Sequence, residues 1–361
     1  MAFALELYPV VYFAQYNPAT QRWDEQWLEN DRLPYAELQK LPAAEKEKIL
    51  TARNAMPLPG ISYTSQYGYG VFEGMKAFPN KNGGVTLFRP DRNAARFADS
   101  MRGIKSPVFP VEQYLRASVE TVRRNAALGY VPAYRAEWEA DNYGDGEAVY
   151  LRPFLNSEGA IGVGVAHRPS VVIGATTVSG YFKGGNTKAV TTEMVRAMPR
   201  GTGGLKCAAN YVMSALAKRE AEDAGFMEVV FLDGLERKFL QEGSSCNIFA
   251  YLKNGVLVTP ALGDTILPGI TRASVIAIAK SFGVQVEERP VTLAETLINA
   301  QEVFVTGTAA GVTPIESITH YGMEKVFNNR AAGALATRLQ KELKGLQYGL
   351  LPDKFQWNLA V

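Results

Sequence analysis

The sequence predicts an α+β fold in two domains, and three observations carry that prediction. Its 361 residues exceed what one small core organises and suit two domains of ordinary size. Runs rich in β-branched residues, at hairpin spacing, are interleaved with stretches of helical periodicity, and no internal repeat or low-complexity tract interrupts them. A glycine-rich polar stretch, VSGYFKGGNTK (Val178–Lys188), divides the chain near its middle. We therefore expect an N-terminal domain over residues 1–177, an interdomain loop over 178–188 and a C-terminal domain over 189–361.

The elements follow in order. YTSQYGYGVFEGMKAF (Tyr63–Phe78) and GGVTLF (Gly83–Phe88) read as strands joined by a turn at PNKNGG. DRNAARFADSMRGI (Asp91–Ile104) reads as a helix with Asp91 as its N-cap. In VEQYLRASVETVRRNAAL (Val111–Leu128), Tyr114, Leu115, Val119 and Val122 fall on one helical face. AVYLRPFL (Ala148–Leu155), IGVGVA (Ile161–Ala166) and SVVIGATTV (Ser170–Val178) read as strands, as does KAVTTEMVRAM (Lys188–Met198). CAANYVMSALAKREAEDAG (Cys207–Gly225) is the strongest helix, Ala-rich and stopped by Gly225. MEVVFLDG, NIFAYL and VLVTP are strands, TRASVIAIAKSFG (Thr271–Gly283) a helix, and QVEERPV a strand. EVFVTGTAA (Glu302–Ala310) is a strand ending in a turn.

Composition narrows the function. Apolar residues make up 47% and charged residues 20%, as in a folded globular chain. A net charge of +2 gives no basic face of the kind nucleic acid needs. The longest uncharged run, Pro169–Phe182, is too short and glycine-rich to span a bilayer, and MAFALELYPVVYFAQYN does not read as a signal peptide. Two cysteines, Cys207 and Cys246, cannot form a disulfide framework, so a reducing cytoplasm is expected. With only His167 and His320, no metal site is expected, and a Ser-His-Asp triad has little support.

The chemistry gathers around RGTGGLKCAANY (Arg200–Tyr211). GTGGLK fails the dinucleotide pattern, because Lys206 stands where the third glycine belongs. GYFKGGNTK fails the phosphate-loop pattern, because Asn186 stands where lysine belongs. Lys206 itself lies among Gly, Ala and Cys, where burial favours the uncharged amine and small neighbours leave room for a bulky partner. Such a lysine forms Schiff bases with a carbonyl substrate or with pyridoxal phosphate. From GGLK alone, a lysine on a surface turn is the ordinary reading. Pyridoxal phosphate needs more: a buried carboxylate for its ring nitrogen, a helix N-terminus and a cation for its phosphate, and a donor for its 3-oxygen. Glu242 in FLQEGSSCNIF, the first-turn amides of Ile270 and Thr271 in DTILPGITRASV, and Tyr211 one turn beyond Lys206 could supply them. Spacing alone does not join these pieces.

Taken together, the stretches resemble the branched-chain amino acid aminotransferases, pyridoxal phosphate enzymes of fold type IV. The signatures, in order, are YGYGVFEGMKAF, LFRPDRNAARF, VYLRPF, GYFKGG, RAMPRGTGGLKCAANY, QEGSSCNIF, TILPGITRASV and TGTAAGVTPI. They run from about Tyr63 to Ser317, and the first 50 and last 40 residues add little. The resemblance implies an N-terminal α/β domain, a C-terminal pseudobarrel domain and a homodimer. It implies that Lys206 carries the cofactor as a Schiff base and shuttles the proton, and that Glu242 pairs with the pyridinium nitrogen. Tyr211 would bond the 3-oxygen; Arg96, Ile270, Thr271 and Thr308 would hold the phosphate. Arg196 and Ser245 would lie beside the cofactor. Tyr67, Tyr150 and Arg152 would line the substrate pocket, and the Thr308–Ala309 turn would hold the α-carboxylate.

The implied reaction is reversible amino transfer between L-leucine, L-isoleucine or L-valine and 2-oxoglutarate, giving glutamate. Three positions depart from the family pattern. Ala208-Ala209 replaces a common Gly-Gly, Ser245 stands where Thr is common, and Ala310 and Thr313 occupy the positions of a CxxC pair found in some mammalian relatives. The alternatives are a D-amino acid aminotransferase or aminodeoxychorismate lyase of the same fold, and a non-catalytic binding protein on this scaffold.

Overall fold

A computed structural model describes residues 5–140, 143, 146–179 and 187–361. The N-terminal part runs β1 (Val10–Asn17), β2 (Arg22–Glu29), α1 (Tyr35–Leu38), α2 (Ala43–Arg53), α3 (Tyr63–Tyr67), β3 (Met75–Pro79), β4 (Val85–Phe88), α4 (Pro90–Gly103) and α5 (Val111–Ala126). A short 3-10 turn precedes β5 (Ala148–Asn156) and β6 (Ser170–Val178). Next come β7 (Lys188–Thr191), α6 (Asn210–Asp223), β8 (Glu228–Val230), β9 (Asn247–Leu252), β10 (Val256–Thr259), α7 (Ile270–Ser281) and β11 (Gln285–Glu288). The chain ends with α8 (Leu293–Asn299), β12 (Ala300–Gly307), β13 (Gly311–Ile315), β14 (Ser317–His320), β15 (Met323–Val326), α9 (Ala334–Gln347) and β16 (Asn358–Ala360).

Three sheets organise these strands. An antiparallel seven-stranded sheet has the order β16-β4-β3-β5-β6-β1-β2. A five-stranded sheet runs β11-β10-β9-β12-β13, and a four-stranded sheet runs β15-β14-β7-β8. The apolar faces of α4 and α5 cover one side of the seven-stranded sheet, with Phe97, Met101, Tyr114 and Val122 closed against Met75, Ala77 and Leu151. Helices α7 and α9 share a second core with Phe78, Phe249 and Phe304. A third core lies between the two smaller sheets, from Ala189 and Val230 to Ile248, Val305 and Ile318. The last strand returns to the first sheet: Leu359 pairs with Leu87 in β4.

Several expected elements change on folding. Tyr63–Tyr67 is helix rather than strand, because Ser62 and Ser65 form a reciprocal capping box and Gly68 stops the turn at φ 66°. Helix α4 starts at Pro90 with Arg89 as its cap at φ 51°, so Asp91 lies inside the first turn rather than capping it. IGVGVA is not a strand: Gly162 adopts φ 95°, and Ile161 and Val163 are 81% and 94% exposed. The strand expected over Lys188–Met198 ends at Thr191, and the one expected over Met227–Gly234 covers only Glu228–Val230. Of the expected interdomain loop, residues 180–186 lie outside the described residues.

Candidate active site

Helix α4, the loop before α6, the turn after Glu242, the start of α7 and the end of β12 converge on one cleft. Nine sequence-selected residues line it: Lys206, Arg96, Arg196, Tyr211, Glu242, Ser245, Ile270, Thr271 and Thr308. Tyr67, Tyr150, Arg152 and Ala309 are not among its lining residues.

Lys206 is fixed at both ends of its peptide unit. Its N–H donates to Ser100 Oγ at 3.0 Å, and its carbonyl accepts from Phe72 N–H at 3.1 Å. The side chain is then free to aim inward. Nζ donates to Tyr211 Oη at 2.9 Å and lies 4.7 Å from the Phe72 ring centroid. The glycines before it serve close packing. A Cβ on Gly204 would lie 2.8 Å from the Gly263 carbonyl, and one on Gly203 would lie 3.0 Å from the Asp264 carbonyl. Ala208 and Ala209 are not among the residues that line the cleft: Ala208 N–H bonds the Gly70 carbonyl, and Ala209 packs against the Gly68 turn.

Glu242 is 6% exposed and fully engaged. Its Oε1 accepts from Asn247 Nδ2 at 2.7 Å and from Leu267 N–H at 3.1 Å, while Oε2 pairs with Arg196 Nη2 at 2.8 Å. Burial pushes this carboxyl up to about 7, against the opposing pull of Arg196 and the Leu267 amide. Gly269 makes the arrangement possible, since a Cβ there would fall 1.9 Å from Asn247 Oδ1. The Leu-Pro-Gly turn therefore leaves room for the amide that orients Glu242.

At the other end, α7 begins with Gly269 as N-cap and no side chain capping its first-turn amides. Uncapped amides at a helix N-terminus suit an anion. Arg96 stands beside them, donating Nη1 to the Pro268 carbonyl at 3.0 Å. Glu73, wholly buried, holds the guanidinium by two bonds, Nε to Oε1 at 2.7 Å and Nη2 to Oε2 at 2.9 Å. Burial raises the Glu73 carboxyl, but Arg96 and Asn93 outweigh it and hold it below the usual range. Thr308 Oγ1 donates to the Gly74 carbonyl at 3.2 Å, tying the residue after β12 to the one before β3.

The donor set fits pyridoxal phosphate. An amine, a buried carboxylate, a phenol, a guanidinium and an uncapped helix start surround one cavity. Two buried polar atoms there, Arg196 Nε and Thr306 Oγ1, have no partner among the described residues.

Of the remaining sequence-selected residues, Tyr150 and Arg152 share one face of β5. Arg152 Nη2 donates to Tyr150 Oη at 2.9 Å, and the Arg152 guanidinium sits 4.7 Å from the Phe72 ring centroid. One ring thus stands against both Arg152 and Lys206. Gly74 leaves space for Tyr150, whose Oη would be 2.0 Å from a Cβ there. Tyr67, on α3, is 46% exposed and accepts from Gly162 N–H at 3.3 Å. Ala309 lies in the turn between β12 and β13.

Sequence reasoning missed Phe72, Glu73 and Asn247. A single acidic residue in the apolar run GVFEGMKAF was the available signal for Glu73. The bond from Asn247 to Glu242 joins residues five apart across a turn, and no motif marks it.

Comparison with known proteins gives the family. The family described as Amino-transferase class IV matches residues 70–318. A probable branched-chain-amino-acid aminotransferase of Staphylococcus epidermidis is 36% identical over 94% of this chain and 88% of its own. Branched-chain amino acid aminotransferase 2, chloroplastic, of Humulus lupulus is 38% identical over 82% of this chain and 70% of its own. Among solved structures, the branched-chain aminotransferase of Thermoproteus uzoniensis with norvaline superposes with a TM-score of 0.73, at 26% identity, over 97% of this chain and 99% of its own. The branched-chain amino acid aminotransferase of Thermobaculum terrenum in its PLP-form gives 0.71, at 25% identity, over 99% of this chain and 99% of its own. The chain belongs to the class IV aminotransferases, as a pyridoxal-phosphate-dependent transaminase of the branched-chain amino acid group.

Proposed function

We propose that the protein transfers the amino group of L-leucine, L-isoleucine or L-valine reversibly to 2-oxoglutarate, with Lys206 as the catalytic residue. The observation that carries this reading is the single cleft in which Lys206 Nζ, Tyr211 Oη and the Glu242 carboxylate meet the uncapped start of α7. When bound, pyridoxal phosphate supplies the electron sink for breaking the Cα–H bond and carries the amino group between the two half-reactions.

The chain's own groups do the rest. Lys206 Nζ holds and moves the proton taken from the substrate carbon. Glu242 keeps a proton on the ring nitrogen, and Arg196, Asn247 and the Leu267 amide keep Glu242 in place. Tyr211 orients Nζ and the cofactor 3-oxygen. The Ile270 and Thr271 amides, Arg96 and Thr308 hold the phosphate, with Arg196 and Ser245 beside the ring. The Thr308–Ala309 turn takes the α-carboxylate. Tyr67, Tyr150 and Arg152 line the side-chain subsite, where Arg152 meets a γ-carboxylate and the rings of Phe72 and Tyr150 meet an aliphatic chain.

Kinetics with L-leucine, L-isoleucine, L-valine and D-alanine against 2-oxoglutarate test the reading. The three L-substrates should fall within roughly 200-fold of one another in kcat/KM, since one methylene in an apolar pocket is worth only about 1–3 kcal/mol. Lys206→Ala should abolish turnover. A preference for D-alanine, or full activity in that variant, would overturn the assignment.

We further propose a homodimer in the cytoplasm. Exposed Ile61, Tyr67, Ile161 and Val163 supply an apolar surface suited to self-association, and both cysteines are free and buried. Light scattering should return twice the 39.5 kDa chain mass; a monomer mass would rule the dimer out.

A further inference from the structure

Behind the cofactor cleft lies a buried carboxylate that the proposed chemistry does not use. Glu228, at the start of β8, is 1% exposed, and no cation among the described residues pairs with it. A buried carboxylate is strongly disfavoured unless hydrogen-bond donors surround it. Here the donors come from one turn and one neighbouring amide. Glu228 Oε1 accepts from Ser244 N–H at 3.0 Å and from its neighbour Val229 N–H at 2.8 Å. Oε2 accepts from Cys246 Sγ at 3.6 Å.

Ser244 and Cys246 belong to the turn Gly243–Cys246, closed by the bond from Gly243 N–H to the Cys246 carbonyl at 2.8 Å. Glu242 and Asn247 flank that turn as a bridge pair, and Ser244, Ser245 and Cys246 line the cleft. The turn is packed onto the carboxylate. A Cβ on Gly243 would lie 2.6 Å from Cys246 Sγ and 3.4 Å from Glu228 Cδ. One carboxylate thus ties two of the turn's four residues from beneath, while the turn's other side faces the cofactor space.

We propose that Glu228 is a positioning residue for the cofactor site. Its carboxylate holds the Gly243–Cys246 turn, and through it Glu242, in the geometry that binds pyridoxal phosphate. The proposal rests on the assignment of this cleft to that cofactor. It requires hydrogen-bond acceptance, not charge. Glutamine at 228 can accept from Ser244 with its carbonyl oxygen and donate its amide to Cys246 Sγ, whereas leucine can do neither.

The experiment titrates pyridoxal phosphate into apoenzyme by fluorescence and measures the KM for L-leucine at saturating cofactor. In Glu228→Leu the cofactor Kd should rise about tenfold or more, the size expected when buried donors lose their acceptor. Glu228→Gln should stay within about threefold of wild type, and the leucine KM should barely change in either. Gly243→Ala keeps Glu228 but sets a methyl group 2.6 Å from Cys246 Sγ, so the thiol must shift from the carboxylate, and cofactor binding should weaken as in Glu228→Leu. If Glu228→Leu does not fold, the Glu228→Gln and Gly243→Ala pair decides. Cofactor binding as weak in Glu228→Gln as in Glu228→Leu or Gly243→Ala would overturn the proposal, as would binding of wild-type strength in either of those two. Wild-type protein that takes up no pyridoxal phosphate would overturn the assignment of the cleft instead.

Discussion

Glu242 has three donors around it and still holds its proton more tightly than an exposed glutamate, because burial outweighs them. A group placed this way can share a proton with a ring nitrogen near neutral pH. Glu242→Gln removes that capacity while preserving the side chain's shape. We expect the variant to retain pyridoxal phosphate and to lose turnover by on the order of 100-fold, the scale of one proton-holding group in catalysis. Steady-state rates alongside the absorbance of bound cofactor check this; rates within a few-fold of wild type would place the essential carboxylate elsewhere. Lys206 and Tyr211 were legible in the sequence because they lie close together at the start of one helix: Lys206 is in the loop just before α6, Tyr211 is in its first turn, and their side chains meet at 2.9 Å. Glu73 was not, because its meaning comes from Arg96, 23 residues away on another element. A lone acidic residue reads as solvated until its partner is placed.

The start of α7 works as an element, since its amides, its turn and the residue behind the turn act together. Gly269 has φ −64°, which any residue adopts, so its glycine is required for space alone. Gly269→Ala would drive a methyl group into Asn247 Oδ1, 1.9 Å away, and displace the amide that bonds Glu242. Overpacking of this kind costs about 1–3 kcal/mol. We expect the variant's apoenzyme to melt lower and its cofactor Kd to rise about tenfold or more. Differential scanning fluorimetry and cofactor titration test both, and unchanged affinity would show that the α7 turn does not shape the site. Helices such as α5 and α7 were readable because their stops and apolar faces are local. IGVGVA was misread for the same reason. Its alternation is the pattern of a half-buried strand, but Gly162 turns the chain at φ 95° and no neighbouring strand pairs with it among the described residues.

At the scale of the molecule, the C-terminal segment closes the structure onto the N-terminal sheet, through β16 beside β4 and through α9 against the face that carries Phe78. No local pattern signals this closure, since the pairing joins residues more than 250 apart and depends on the whole fold. The closure buries two lysines, Lys76 on β3 and Lys344 on α9, and neither has a carboxylate partner among the described residues. Lys344 Nζ lies 5.6 Å from the Phe78 ring centroid and 5.9 Å from that of Tyr348. Burial lowers Lys344 to about 8, and burial with the nearby Lys344 charge lowers Lys76 well below its ordinary value. A lysine lowered on folding binds fewer protons in the folded chain than in the unfolded one. The Lys344 contribution to stability therefore rises with pH between about 8 and 10.5, and its penalty is complete below that window. The fall from 10.5 to about 8 corresponds to roughly 3 kcal/mol at about 1.4 kcal/mol per pH unit. Lys344→Met keeps the length of the side chain and removes the charge. We expect it to be more stable than wild type by up to about 3 kcal/mol at pH 7, with the advantage shrinking as pH climbs from 8 towards 10. Buried tyrosines and Cys246 are raised on folding and pull alkaline stability the other way, but they are common to both proteins and cancel in the difference. Urea unfolding of the two proteins at matched pH values measures that difference. An advantage that stays constant from pH 7 to 10 would mean that the gain comes from packing and not from a buried ammonium.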